Sequence, residues 1–513
     1  MSTPARDDRL IGAVVWTAVL GLVAWSAWHR WQVLSATPYP LGIDGYFYAT
    51  QVRALIEDGS LAYPAAPLTF WLMAPVALVS DPITAVKLVA AVVGALAAVP
   101  AFLLGRRVGG RAGGLAAAVL VVTAGGSFYL SLEFVKNGVG LTVALTAVWL
   151  VARAADGPKP GRIALAAAAL VATALTHKMA AAMAIVLAAP AVIVAARARP
   201  WSAATTRWLA VAAAAAVALL VVAGVVAPAR FLAARDVALV DDLVTTESAW
   251  DLPALLLPRP GDEPVRLGVA DQGLIVAAVV LLFAVAAAVA YALRTPREAR
   301  PTDDAIAWAA FALAALISLP WLAVDDPQGL GFRLRLAAFA PAAIVVAAAV
   351  GRATAALALP AALRPLVIVP PLLAWLVLRP AEPALGVPRP HPLMVSAMQA
   401  LAGRLPADAV VITSERNFGF MAGWYARVHW RLRPDAVPPA RRWRLLGGFR
   451  IGLGSPLDRA LHDARGAPGV APPIGLHPSH ENGLVLVPEA TWEWVLARVP
   501  PELADYWRRW PTI

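Results

Sequence analysis

Past the first apolar run of the chain one carboxylate stands among glycine and aromatic neighbours: Asp44, in the stretch Gly42, Ile43, Asp44, Gly45, Tyr46, Phe47, Tyr48. A carboxylate placed there can take a proton from an attacking hydroxyl or amine, or hold a divalent cation such as Mg or Mn. Tyr46 and Tyr48 put two phenols beside it. A second acidic candidate, Glu133, comes with Lys136 three residues later, and His177 and Lys178 sit at the next comparable break between apolar runs. Lysine occurs only at 87, 136, 159 and 178, so each retained lysine is a candidate. Arg333 and Arg335 precede a late apolar run, and Glu247 lies in a long polar stretch. Two carboxylates, Asp44 and Glu133, with several cations form a minimal set for displacing a phosphate leaving group. The carboxylate activates the nucleophile or holds the cation, and Lys87, Lys136, Lys178, Arg333 and Arg335 offset the charge that develops on the departing phosphate.

Each candidate has a plainer role. Asp44 is also a good cap for a helix starting at Gly45. Glu133 and Lys136 are spaced as a surface ion pair. The lysines and arginines are of the kind that snorkel to a membrane edge. His177 at the end of an apolar run suits a solvated or capping residue. Glu247 suits a solvated loop. Two motif readings fail: Gly105 to Gly114 is rich in Gly and Arg but lacks the Gly-Lys-Ser/Thr ending of a phosphate loop, so it reads as a tight turn. His477, His480 and Glu481 do not have the helical spacing of a zinc motif.

The elements that carry these residues are membrane helices. The chain has 513 residues, is 60% hydrophobic and only 15% charged, which calls for repeated apolar runs joined by short charged links. The runs are Leu10 to Trp28, Ile83 to Leu104, Ala112 to Leu130, Gly138 to Ala152, Ile163 to Thr176, Met179 to Ala196, Trp208 to Pro228, Gly273 to Leu293, Ala305 to Val324, Leu336 to Val350 and Pro365 to Leu378. The expectation is an all-α polytopic membrane protein of about eleven transmembrane helices. The first is a retained span rather than a cleaved signal. Arginines gather in alternate links, which puts the N-terminus in the cytoplasm and the links bearing Asp44, Glu133 and His177 outside, at the surface of a bacterial inner membrane. The net charge of +11 is thereby explained by topology, and no nucleic-acid partner is expected. The absence of cysteine excludes disulfides and thiolate metal sites.

Within the outer loop from His29 to Pro82, the pattern predicts a helix from Gly45 to Asp58 lying on the membrane, with Arg53 and Glu57 as an i,i+4 pair and Gly59 as its stop. Beyond a proline-rich linker the polarity rises, with a helical run at Met394 to Leu405 and strand-like runs at Ala409 to Thr413 and Leu484 to Val487. The division is therefore 1–379 as the membrane domain and 380–513 as a small extramembrane α/β domain outside the cell or in the periplasm. Span interiors hold almost no charge, which argues against an ion-coupled transporter. The outer depth of the charges is where the phosphate of a polyprenyl-phosphate lipid sits, its tail in hydrocarbon.

Asp44 to Tyr48 in a long first outer loop, then Pro67 and Leu68 with Phe70 and Trp71, then Ala85, Val86, Lys87 and Leu88 opening the next span, resemble the GT-C superfamily of membrane glycosyltransferases. These include protein O-mannosyltransferases, lipid A aminoarabinose transferases and oligosaccharyltransferase catalytic subunits. The resemblance implies an inverting transferase that moves a sugar from a polyprenyl-phosphate donor to a protein, lipid or glycan acceptor. It implies Asp44 as the catalytic acidic residue of the first loop and Glu133 as the acidic residue of the second, one carboxylate where many relatives show an Asp-x-Asp-like pair. Thr245, Thr246 and Glu247 resemble the Thr/Ser-x-Glu element of oligosaccharyltransferases, which keeps en bloc glycan transfer as an alternative. A lipid transporter or flippase without catalysis is the alternative from another class.

Overall fold

The computed structural model describes residues 4–198, 301–318, 330–378 except 358, 361 and 362, and 390–509 except 435, 436 and 477–482. The expected seventh and eighth spans, Glu247, and His477, His480 and Glu481 lie outside these residues. By compactness the chain forms two units, one of residues 1–33, 63–72 and 88–385, the other of residues 34–62, 73–87 and 386–513.

The first unit is helical. In chain order the helices are α1 (Pro4–Ser35), α2 (Gly45–Glu57), α3 (Leu68–Leu78), α4 (Pro82–Leu96), α5 (Ala98–Thr123), α6 (Gly125–Leu132), α7 (Val135–Asp156), α8 (Pro160–Thr176), α9 (Lys178–Ala198), α10 (Pro301–Ser318), α11 (Leu330–Ala337), α12 (Phe339–Ala356) and α13 (Arg364–Leu378). Of these, α2 belongs to the second unit, and α3 and α4 run across the division. Lipid tails are as apolar as leucine, so close packing of small residues, rather than burial from water, holds such helices together. The core shows it: Ala117, Ala144, Ala147, Ala180, Ala310 and Ala347 are all buried in one cluster with Leu104, Leu145 and Ile344.

The turn expected between Gly105 and Gly114 is present. Gly109 and Gly110 leave helical geometry, with Gly110 at φ 65°, a region open to glycine and costly for other residues. The chain doubles back there: a Cβ on Gly105 would lie 2.8 Å from that of Ala117, and one on Gly114 would lie 2.8 Å from the Phe102 ring. Gly109, Gly113 and Gly351 bring the same turn against the backbone of α12.

Among the described residues five helices are long and apolar enough to cross a membrane: Leu10–Ser35, the kinked Pro82–Thr123, Val135–Asp156, Lys178–Arg197 and Phe339–Ala356. Two other expected spans among the described residues fall below the 18-residue length of these five. Helix α8 has 17 residues, and α13 carries Pro370 and Pro371 inside its 15. Helix α1, by contrast, runs on to Ser35, past the Trp28 at which its apolar run ends.

The second unit contains a five-stranded sheet with strands β1 (Val410–Ile412), β2 (His429–Arg431), β3 (Arg442–Gly447), β4 (Ile474–Leu476) and β5 (Leu484–Pro488), in the order β2-β1-β3-β5-β4. β1 is parallel to β2 and β3, and β5 is antiparallel to β3 and β4. Parallel neighbours need a crossover, and α15 (Arg416–Tyr425), which follows α14 (Pro392–Ala402), supplies it between β1 and β2. The helices α16 (Pro456–Ala464), α17 (Glu489–Leu496) and α18 (Pro501–Arg509) bury Leu461, Trp492 and Trp507 with Leu446 and Val487 of the sheet. Arg444 and Glu489 are buried together, Nε to Oε2 at 2.8 Å and Nη2 to Oε1 at 2.9 Å. The strand-like and helical runs expected in this segment are in place, as an α/β fold.

Candidate active site

The candidate residues fall in both units. In the second, the chain leaves α1 and turns at Gly42, φ 81°, toward α2. Gly45 opens α2 because nothing larger fits: a Cβ there would lie 2.9 Å from Cβ and 3.1 Å from the carbonyl carbon of Pro40. Asp44, half-buried, occupies the N-cap of α2 but makes no side-chain capping bond to it. Asp81 in the same unit shows what a capping aspartate does here. Its Oδ1 accepts from the N–H groups of Ile83 and Thr84 at 2.9 and 3.0 Å. Burial pushes its carboxyl up, but the bonds from Thr84 and Ile83, with the charge of Lys87, outweigh this and hold it below the usual range. Asp44 keeps the favourable dipole of a helix N-terminus without spending its oxygens on the cap.

Tyr46 and Tyr48 are buried packing residues rather than open phenols. Tyr46 Oη lies 2.9 Å from Tyr425 Oη. Burial, and then this hydrogen bond, push the Tyr46 phenol far up, and burial also raises Tyr425; both stay protonated at neutral pH. Phe47 packs on Phe420, ring centroids 5.1 Å apart. Arg53 donates to the carbonyls of Trp424 and Gly423 at 2.7 and 2.8 Å, and Arg427 makes a two-pronged contact to Glu57 at 3.0 and 3.1 Å. Helix α2 is thus bound to α15 through its buried face, where the sequence suggested a membrane surface and an Arg53 to Glu57 pair. Lys87 is buried, and its Nζ donates to the carbonyl of Thr37 at 2.5 Å, tying the second turn of α4 to the segment that leads to Asp44.

In the first unit, Glu133 closes α6, its N–H bonded to Tyr129 O at 2.9 Å. Phe134, at φ −114° and ψ 60°, breaks the helix before α7 begins. The Glu133 side chain lies in a residue only 2% exposed. Lys136 lies over the Phe70 ring at 5.9 Å, and the Arg333 guanidinium over the Phe134 ring at 4.8 Å. One turn after Lys136, Gly140 brings α7 against the break between α8 and α9: a Cβ there would lie 3.1 Å from Cβ of His177. His177 Nδ1 accepts from the N–H of Met179 at 3.2 Å, a capping role, and Lys178 is exposed at the start of α9. Arg335 lies on α11 with Arg333. Glu133, Lys136, Arg333, His177 and Lys178 therefore come to one end of this helical unit.

Two residues escaped the sequence reading. Asn137, 3% exposed, has an Nδ2 without a hydrogen-bond partner among the described residues, an unusual state for a buried amide. Arg30, 1% exposed, bonds Ser131 Oγ at 3.1 Å, Ser127 Oγ at 3.0 Å and Ser26 Oγ, with its guanidinium 5.5 Å from the Phe128 ring centroid. A lone arginine at the end of an apolar run reads as a membrane-edge residue, and two of its serine partners, Ser127 and Ser131, lie 97 and 101 positions away. Among the described residues no three His, Asp or Glu side chains gather as a metal ligand set.

Asp44 is a half-buried carboxylate at a helix start, and Glu133, in the other unit, is a buried carboxylate at the end of the bundle that also carries Lys136 and the Asn137 amide. Residues 64–227 match the family model of the dolichyl-phosphate-mannose-protein mannosyltransferases, a GT-C family, and the resemblance of this chain to GT-C membrane glycosyltransferases holds. No curated protein sequence matches it. Among solved structures it is similar to the oligosaccharyltransferase of Archaeoglobus fulgidus in the apo form (14% identity, TM-score 0.49, 82% of this chain and 65% of that one). It is also similar to ArnT of Cupriavidus metallidurans bound to undecaprenyl phosphate (14% identity, TM-score 0.44, 92% of this chain and 98% of that one). The chain spans 65% of the length of the oligosaccharyltransferase. At these scores and identities the likeness carries no argument about site or activity.

Proposed function

We propose that this protein is an integral membrane glycosyltransferase that moves a sugar from a polyprenyl-phosphate-linked donor to a protein, lipid or glycan acceptor at the outer face of a bacterial inner membrane. The observation that carries the reading is the family-model match over residues 64–227, a stretch that includes Lys87, Glu133, Lys136, His177 and Lys178. In the reaction an acceptor hydroxyl or amine attacks the anomeric carbon. Asp44 takes the acceptor proton, Glu133 assists at the sugar, and the carbon–oxygen bond to phosphate breaks with its electrons on the leaving polyprenyl phosphate, so configuration inverts. Lys136, Lys178 and Arg333, with Arg335, stabilise that phosphate.

The test is transfer of labelled sugar from a polyprenyl-phosphate donor by purified protein. Asp44→Asn and Glu133→Gln each are expected to lower the rate by at least 100-fold, within the range of lost general-base catalysis, with the fold intact. Undiminished transfer by Asp44→Asn overturns the assignment.

A further inference from the structure

At the other end of α7 the structure holds a second charged site with no part in the reaction above. Helix α7 has 22 residues, so at 1.5 Å per residue its ends are about 30 Å apart, the thickness of a bilayer's hydrocarbon core. Glu133 and Lys136 mark one end; Arg153 and Asp156 mark the other. There a cleft of about 550 Å³ is lined by Arg106, Arg107, Arg153 and Arg162, by Asp156 and Asp303, and by the apolar Leu103 and Trp149.

The two carboxylates are already engaged. Arg107 donates from Nη2 to Asp156 at 2.8 Å and to Asp303 at 2.6 Å, and Thr302 Oγ1 donates to Asp156 at 2.8 Å. Arg107 is only 12% exposed in this contact, so it serves as the framework of the cleft. Three guanidinium groups remain. Arg106 and Arg153 are exposed. Arg153 stacks over Trp149 at 4.9 Å, and Arg162 spends one nitrogen on Gly157 O at 3.2 Å. Arginines that merely mark the cytoplasmic edge of a span extend outward into water. These instead come from the ends of three helices to one cavity, with an indole and a leucine in its wall.

We propose that this cleft is a phosphate-ester site, filled by the headgroup of an anionic phospholipid from the leaflet on that side or by a free phosphate. Guanidinium groups pair with phosphate oxygens through directed double hydrogen bonds. Basic pockets between membrane helices on the cytoplasmic side are suited to anionic headgroups, and Leu103 and Trp149 offer an apolar wall to acyl carbons near the glycerol. The inference is independent of the transferase reading.

The full-length protein, delipidated in detergent, is titrated with phosphatidylglycerol and with phosphatidylcholine and read by native mass spectrometry, and separately with inorganic phosphate and read by thermal shift. Wild type is expected to retain phosphatidylglycerol on the order of tenfold better than phosphatidylcholine. Replacing Arg153 and Arg162 together by Gln is expected to abolish that preference, and Arg106→Gln, an exposed change that spares the fold, to weaken it on the order of fivefold. Arg197→Gln, exposed on the last turn of α9 and outside the cleft, is expected to leave it unchanged. A thermal shift with inorganic phosphate that Arg106→Gln diminishes supports the same site with free phosphate as its source. If the wild type and Arg106→Gln bind both probes alike, or if Arg197→Gln weakens binding as much as the cleft variants, the proposal fails.

Discussion

Asp44 stands at a helix N-cap without capping, while Asp81 in the same unit caps through two backbone bonds. A cap bond is worth about 1 kcal/mol, so Asp81→Ala is expected to cost about 1 kcal/mol in a thermal melt. Glu489 gives a pH prediction. Burial pushes its carboxyl up, but the hydrogen bond and charge of Arg444, together with Arg442, hold it below the ordinary value. A lowered folded-state value means stability that is present above the unfolded value and lost as pH falls through the lowered one. The C-terminal α/β fold should therefore weaken below about pH 4.3. Glu489→Gln should flatten that dependence and cost about 3 kcal/mol at neutral pH, since it leaves a buried arginine with a neutral partner. At this scale Asp44, Glu133 and the lysines could be found from their rarity in an apolar sequence. Arg30 and Asn137 could not, because their burial depends on which helices pack together.

Helix α2 was legible in its limits to within one residue: Gly45 as its start, an end expected at Asp58 and found at Glu57, and Gly59, at φ 68°, just beyond it. Its partner was not, since an apolar face at helical spacing announces that something covers it and not what. The cover is α15, nearly four hundred residues on, held by Arg53, Glu57 and Tyr46. Arg53→Ala removes a charged donor from two carbonyls and should cost about 1.5–3 kcal/mol; limited proteolysis within residues 36–62 should accelerate accordingly. Gly45→Ala should cost about 1–3 kcal/mol through its clash with Pro40, and a variant as stable as wild type would contradict the close approach. The α5 turn was read correctly because glycine runs between apolar segments leave few alternatives to a reversal.

For the whole molecule, hydropathy is a count of apolar length and composition, and it anticipates a polytopic chain better than the number of its spans. Helix ends are set by prolines, glycines and packing, so α1 outruns its apolar stretch while α8 and α13 end on the last residues of theirs, Thr176 and Leu378. Domain division by sequence follows chain order, while compactness does not: residues 34–62 and 73–87 fold with 386–513, and the boundary at 379 and 380 stays a proposal about function rather than packing. Asp44 as the base and Lys136 as a phosphate contact are the proposed roles in transfer from a lipid-phosphate sugar. Native mass spectrometry of the protein taken from its own membrane, with Asp44→Asn and Lys136→Ala alongside, tests them most directly. A polyprenyl-phosphate sugar adduct that accumulates on Asp44→Asn and is lost from Lys136→Ala is the predicted result; bulk phospholipid alone on all three proteins would contradict it.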